Sequence, residues 1–284
     1  MRFGTISVSR NPVSAALAAL IIAGATAIMS NPGNSAQAQT SRPAVAPKAI
    51  PASKPSGYLP SSQPLDGTAF LPPYPAAGSA AETYDIAAWK ASAAGAGSSR
   101  WKQALTDDQT GLQEGVTQFQ CAIGVKLTPQ NAPTLIKLLQ KVQLDGHWAV
   151  DHAKAHFKRP RPFANDPNSP ICLPVPQGMR GRVTTAYPGG HSTLGMSWGL
   201  ILAELAPDRG GQIMARVHDY SQSRLVCGIH FPSDLEAGHV LGAALVARLH
   251  ADASFRTDLE AARAEVGRAR STGSNTPNNC QKTS

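Results

Sequence analysis

The sequence predicts an all-α fold, a single-domain helical bundle. Three observations carry this expectation. Apolar residues recur at helical spacing along most of the chain, and period-two alternation is nearly absent. The 284 residues are 42 % hydrophobic and only 15 % charged, ample material for one sizeable core. No internal repeat is present, so a bundle is the default way to bury these helical faces.

Taken in order, residues 1–38 read as an export signal. Arg2 and Arg10 form a positive n-region, Val13 to Met29 is apolar, and Ala36-Gln37-Ala38 matches an A-x-A cleavage site before Gln39. The alternative is an uncleaved anchor, although the apolar run is at the short limit for spanning a bilayer. Residues 39–67, rich in Pro, Ser, Ala and Lys, predict a flexible mature N-terminus. Leu71-Pro72-Pro73-Tyr74-Pro75 cannot be helical and opens the folded domain, expected over 68–270. Ser79 to Ala94 carries Tyr84, Ile86 and Trp89 at helical spacing. Gly95 to Ser99 is a break, and residues 101–123 predict one or two short helices. Thr128 to Phe157 is the longest helical pattern, with Leu135, Ile136, Leu138, Leu139, Val142 and Leu144 on a broad apolar face and Gly146 as a candidate bend. Prolines 167, 170, 174 and 176 force a loop over 165–182. His191 to Leu205 predicts a buried helix, Gln212 to Leu225 another, and Ser233 to Leu249 a third. Ser233-Asp234-Leu235-Glu236 matches a capping box, with Pro232 competing as a first-turn residue. Phe255 to Arg268 reads as a polar helix, and 271–284 as a tail.

The net charge is +8, or +6 once Arg2 and Arg10 leave with the signal. A nucleic-acid groove is disfavoured, because no long Lys/Arg run with interleaved aromatics exists. The cations gather instead at Lys154, Lys158, Arg159, Arg161, Arg180 and Arg182, which suits a local anion site. No later stretch is long and apolar enough to span a membrane, so no stable membrane insertion is expected after signal cleavage. Cys121, Cys172, Cys227 and Cys280 all follow the signal. An even count in an oxidising compartment favours disulfides, with three connectivities open. A bridge at Cys227 would brace the chemistry described next.

Three pieces carry that chemistry. Lys154 lies late in a helix, and Arg161 follows in a segment that Pro160 and Pro162 hold extended. A point charge and a planar fork together suit a tetrahedral oxyanion. Next, Pro188-Gly189-Gly190-His191 opens a helix. Glycines allow close backbone approach, the helix start favours an anion, and His191 sits beside it able to donate a proton. Last, Arg224 adds a guanidinium, and His230 precedes Asp234 by four residues. That spacing lets Asp234 fix the imidazole tautomer and leaves the other nitrogen free as nucleophile or base. Alternatively the pair is an ordinary surface contact. A metal held by His191, His230 and Asp234 is disfavoured, because Lys154, Arg161 and Arg224 would repel it.

In this order and spacing, the pieces resemble the signature of the type-2 phosphatidic acid phosphatase superfamily: Lys-x6-Arg-Pro, Pro-Ser-Gly-His and Ser-Arg-x5-His-x3-Asp. That superfamily includes soluble class A acid phosphatases, membrane lipid phosphatases and vanadium haloperoxidases. Size, export signal, Arg159-Pro160-Arg161-Pro162-Phe163 and the segment from Leu71 to Ser79 are most similar to the class A acid phosphatases, over residues 68–250. The resemblance implies a bundle of the acid phosphatase/vanadium haloperoxidase type. It implies metal-independent hydrolysis of small phosphate monoesters in the periplasm or outside the cell. It also suggests a homo-oligomer. Lys154, Arg161, Gly189, Gly190 and Arg224 would bind the phosphoryl oxygens. His230 would become a phosphohistidine oriented by Asp234, with His191 protonating the leaving group. No cofactor is implied, although vanadate or phosphate would fit the same oxyanion site.

One departure stands out: Gly189 occupies the position of the signature serine. A hydrogen bond to a charged group is worth about 1.5–3 kcal/mol, so weaker phosphate binding or slower turnover follows unless a water, Ser192 or Thr193 compensates. Two other readings compete. One is a vanadium haloperoxidase in which His230 binds vanadium; the other is a phosphate-binding protein with impaired catalysis.

Overall fold

The computed structural model describes residues 56–61, 63–109, 111–164, 166–175 and 185–272, together with 277 and 280. The expected signal over 1–38, residues 39–55, Arg180 and Arg182 in the proline-rich loop, and most of the 271–284 tail lie outside these described residues. Among the described residues the fold is all-α. Its nine α-helices are α1 (Ala80–Ala93), α2 (Ser99–Thr106), α3 (Leu112–Thr117), α4 (Gln120–Ile123), α5 (Pro133–Phe157), α6 (Gly190–Leu205), α7 (Gly210–Val226), α8 (Pro232–Leu249) and α9 (Ala253–Ser271). No helix among the described residues is long and apolar enough to cross a membrane.

The helix ends follow local chemistry. Ser79, Ser98 and Asp252 cap α1, α2 and α9 by accepting from the third backbone N–H beyond each. Pro133 fits the first turn of α5, and the amides of Thr134 and Leu135 donate to the buried Glu265 carboxylate of α9 at 3.0 Å. Gly146 does not interrupt α5, which runs unbroken to Phe157 and ends at Lys158, whose φ of 52° is left-handed. Helix α8 begins at Pro232, ahead of the Ser233 cap that the sequence suggests. Proline suits the first helical position, and Asp234 reaches back to accept from the Phe231 N–H at 2.9 Å. The Ser233 hydroxyl instead donates to Asp85.

The core is built round α6. Trp198, Ile201 and Leu202 are fully buried, and Trp198 Nε1 donates to the Leu139 carbonyl of α5 at 3.2 Å. Two glycine pairs bring the backbones close. A methyl at Gly195 or Gly199 of α6 would sit within 3 Å of Tyr220 or Val217 of α7. A methyl at Gly238 or Gly242 of α8 would press on the carbonyls of Gly189, the residue that caps α6, and of Thr193 within it. Helix α9 is amphipathic rather than simply polar. Phe255, Leu259, Ala262, Val266 and Ala269 are buried on one face, and Thr134 and Leu135 of α5 bond to its Glu265.

Packing also begins earlier than residue 68. Tyr58 is buried, its N–H donates to Asp145 of α5 at 2.8 Å and its hydroxyl to Asp258 of α9 at 2.7 Å. Residues 101–123 hold three short helical pieces, the first starting at Ser99 inside the expected break. The cysteines pair as Cys121–Cys280 and Cys172–Cys227.

Candidate active site

Four chain segments converge at one end of the bundle. The end of α5 brings Lys154, and the extended segment after it brings Arg159 and Arg161. The start of α6 brings Gly189, Gly190 and His191. The last turn of α7 brings Arg224, and the approach to α8 brings His230 and Asp234. Every expected site residue therefore belongs to this one end.

His230 and Asp234 are 2 % and 0 % exposed, so the pair is no surface accident. His230 Nδ1 lies 3.1 Å from Asp234 Oδ2, and Nε2 lies 2.8 Å from Arg161 Nη1. A guanidinium only donates and a carboxylate accepts, so Nδ1 carries the proton and Nε2 presents its lone pair. Burial holds the imidazole pKa well below its usual 6.5, and Arg161, Lys154, Arg224 and Arg159 depress it further. Burial pushes the Asp234 carboxyl up, and Arg159 and the Phe231 amide oppose this.

The cations crowd one another. Burial and the neighbouring Arg161 bring Lys154 down to about 8. Burial and Arg224 bring Arg161 down to about 10. Burial lowers Arg224 as well, against the pull of Asp108. Arg161 spends Nη1 on the Ile229 carbonyl and His230, while Arg224 spends Nη2 on Asp108 at 2.7 Å. Arg161 Nε and the Nε and Nη1 of Arg224 are buried without a hydrogen-bond partner among the described residues. Buried unpaired donors on mutually repelling cations are the complement of an oxyanion.

The glycine pair divides its work. Gly189 is expected to bind phosphate, but its N–H is spent on the Asp234 carbonyl at 2.8 Å. That bond fixes α6 to the start of α8, and removes the Gly189 amide from the anion's donors. Gly190 is the first residue of α6, where N–H groups lack an intrahelical acceptor. A Cβ there would lie 3.9 Å from Lys154 Nζ, so this amide sits beside the cations. Thr193 cannot replace the signature hydroxyl, because its own donates to the Gly189 carbonyl at 3.0 Å. Ser192 Oγ is buried and unpartnered among the described residues, 3.2 Å from where a Cβ at 189 would stand.

His191 is held more lightly. Its Nε2 lies 3.2 Å from the Asp108 carbonyl and 3.6 Å from the Asp108 carboxylate. A carbonyl only accepts, so Nε2 carries the proton and Nδ1 is left to exchange one. Burial and Arg224 hold its pKa well below 6.5, and the Asp108 carbonyl works against them.

Four residues outside the expected catalytic and phosphate-binding set complete the arrangement. Arg159 bridges Asp234 and Asp85. Asp108 pairs with Arg224 and His191, and its neighbour Asp107 anchors that loop to Arg216 and Ser223 of α7. Ser223 thereby serves the loop. The sequence signal for Asp85 is its position one turn before buried Trp89, where a charge on an apolar face needs a partner. Asp108 carries no comparable signal.

Comparison with known proteins gives the family. The profile of the PAP2 superfamily matches residues 142–258, which contain all three signature pieces. The acid phosphatase of Zymomonas mobilis is 36 % identical over 212 residues, 75 % of this chain and 79 % of that protein. The non-specific acid phosphatase of Salmonella typhimurium is 33 % identical over 69 % of this chain and 78 % of its own length. That of Providencia stuartii is 32 % identical over 74 % and 85 %. The chain belongs to the PAP2 superfamily, and within it to the acid phosphatases.

Proposed function

We propose that this acid phosphatase hydrolyses small phosphate monoesters through a covalent phosphohistidine on His230, without a metal. The observation that carries the reading is the cluster of buried, under-bonded cations facing the His230 Nε2 lone pair. Phosphoryl transfer needs positioning and charge neutralisation more than covalent help. Lys154, Arg161, Arg224 and the Gly190 amide are the groups to supply both. Arg161, which donates to Nε2, would turn to a phosphoryl oxygen when substrate enters.

In the first step Nε2 attacks phosphorus, the P–O bond to the leaving group breaks, and its electron pair takes a proton from His191 Nδ1. Asp234 keeps the Nδ1–H of His230 and balances the charge that grows on the ring. In the second step water attacks phosphorus while His191 Nδ1 takes its proton. The P–N bond breaks, Nε2 recovers its lone pair, and phosphate leaves.

The two depressed histidine pKa values have opposite consequences. His230 must be neutral to attack, so its low pKa keeps the nucleophile available in acid. His191 must be protonated to donate, so kcat/KM falls as pH rises through its low pKa. An acidic optimum is therefore expected. Export to the periplasm or beyond fits the two disulfides and the signal-like residues 1–38.

The test is p-nitrophenyl phosphate hydrolysis at acid pH, with and without chelator, for wild type and His230→Ala. Chelator-insensitive turnover, lost in the variant together with acid-labile incorporation of labelled phosphate, is the expected result. Turnover that survives in His230→Ala, or disappears with chelator, would overturn the reading.

A further inference from the structure

We propose that Arg159, locked by Asp85, is a positioning residue that keeps Asp234 an ionised acceptor for His230 and so sets which nitrogen of the nucleophile bears its lone pair. The inference rests on His230 as the attacking group.

Arg159 is 4 % exposed, Asp85 1 % and Asp234 0 %, so all three charges are buried. Arg159 Nη1 donates to Asp234 Oδ1 at 2.6 Å and to Ser233 Oγ at 2.7 Å. Its Nη2 donates to Asp85 Oδ2 at 2.7 Å. Asp85 also accepts from the Ser233 N–H and hydroxyl. The guanidinium lies over the rings of Phe231 at 4.3 Å and Tyr74 at 5.2 Å, and its backbone carbonyl accepts the amides of Thr185 and Ala186. Side chain and main chain are thus both fixed. Its hydrogen bonds run to Asp234, Ser233 and Asp85, behind the nucleophile and not in front of it.

The two oxygens of Asp234 have separate duties. Oδ2 takes the His230 Nδ1–H and the Phe231 amide, whereas Oδ1 takes Arg159. A carboxylate this deeply buried gains a proton unless a cation holds it ionised. Once protonated it loses its hold as an acceptor for Nδ1–H. The imidazole proton can then move to Nε2, and the lone pair that attacks phosphorus disappears. Other groups facing Asp234 are His230 itself, Lys154 of α5, Arg161 and the Tyr187 hydroxyl. Lys154 and Arg161 are the same cations that must serve the phosphoryl group. Among the described residues Arg159 is the one of the three hydrogen-bonded to Asp234, so it is the cation whose partner is the carboxylate throughout the cycle.

Asp85 explains why Arg159 does not compete for the anion. It occupies the second guanidinium nitrogen, and Asp85, Arg159 and Asp234 together carry one net negative charge behind the ring. That charge opposes the positive charge His230 gains as its phosphorus bond forms.

The test compares Arg159→Met, Arg159→Lys and Asp85→Asn in the full chain. Arg159→Met is expected to lower kcat on the order of 10²-fold, as misplacement of a reacting group does. The inhibition constant for inorganic phosphate should stay within about threefold, because the anion's own ligands are intact. The acid limb of the kcat profile should move to higher pH. Arg159→Lys should recover most of kcat, and Asp85→Asn, the milder change should Arg159→Met not fold, should fall between. Parallel loss of phosphate binding, or an unmoved acid limb with Lys no better than Met, overturns the proposal. ¹⁵N NMR of His230 provides a readout independent of turnover: Nδ1–H in wild type and its loss in Arg159→Met. Retention of the wild-type tautomer sinks the inference even if the phosphohistidine reading stands. Loss of that tautomer supports it even if His230→Ala proves active.

Discussion

The two histidines proposed as catalytic, 39 positions apart in the chain, are held very differently. His230 has both ring nitrogens engaged, Nδ1 by Asp234 and Nε2 by Arg161, and its carboxylate is anchored in turn by Arg159. His191 has Nε2 near one loop carbonyl, that of Asp108. The difference matches the two tasks. A nucleophile needs one fixed direction and one fixed tautomer. An acid that becomes a base needs a proton it can lose and regain, in surroundings that change as the phosphoryl group arrives. Rigidity is therefore concentrated where the proposed bond to phosphorus would form.

The sharpest way to break this comparison is to delete each ring. His230→Ala should reduce turnover by more than about 10⁴-fold for every substrate, as removal of a nucleophile does. His191→Ala should cost about 10²–10⁴-fold on alkyl phosphates. In kcat/KM for p-nitrophenyl phosphate, which reports the first step alone and whose leaving group departs without a proton, its loss should be far smaller. Steady-state kinetics with paired aryl and alkyl substrates check this. Equal losses on both would mean that His191 positions the phosphoryl group and does not protonate.

The disulfides sharpen the comparison next. Cys172–Cys227 sits three residues before His230, whereas Cys121–Cys280 ties α4 to the tail. Chain entropy gives each about 4–5 kcal/mol, from loops of 55 and 159 residues. Cys172→Ser should lower both the melting temperature and kcat, and Cys121→Ser the melting temperature alone. Matched kcat values would show that the Cys227 turn keeps its place without the bridge.

A pH effect follows from both rings. Their folded pKa values lie below 6.5, so the unfolded chain takes up protons that the folded chain refuses. The associated stability is full above about pH 6.5 and is lost as pH falls toward the folded values. Inorganic phosphate should therefore raise the melting temperature more near pH 5 than near pH 8, since a bound anion favours protonated histidine. A gain that is flat with pH would contradict the assignment of the anion to this site.

The smallest expected effect is at Gly189. Its Cβ position lies 3.0 Å from the Asp234 carbonyl and 3.2 Å from Ser192 Oγ, so serine needs a shift of a few tenths of an ångström. A regained hydrogen bond of about 1.5–3 kcal/mol then meets a packing cost of similar size. Gly189→Ser should leave kcat/KM within about tenfold of wild type. A larger rise would mean that the missing hydroxyl is a true deficit.

The helices that build the site were legible because their apolar faces repeat at helical spacing, and the family because the spacing of its three pieces is distinctive. Two kinds of feature escaped. Loop residues such as Asp108 act through partners more than eighty positions away, and a lone aspartate in a polar turn gives no local sign of this. Carboxylates on apolar faces were visible but unread. Asp85 beside Trp89, Asp145 between Val142 and Ala149, and Glu265 beside Val266 all proved buried and bonded across the fold. The helix start at Pro232 shows a third limit. Two local rules competed there, and the long-range bond from Ser233 to Asp85 removed one of them.

The glycine seams along α6 have a consequence for how this protein can diversify. Gly195 and Gly199 on one side, and Gly238 and Gly242 on the other, leave no room for a methyl group. The helices that carry His191, Arg224 and Asp234 are thus set at a separation that substitution can only spoil. A larger side chain at any of the four glycines would push one helix off another and shift the residues those helices hold.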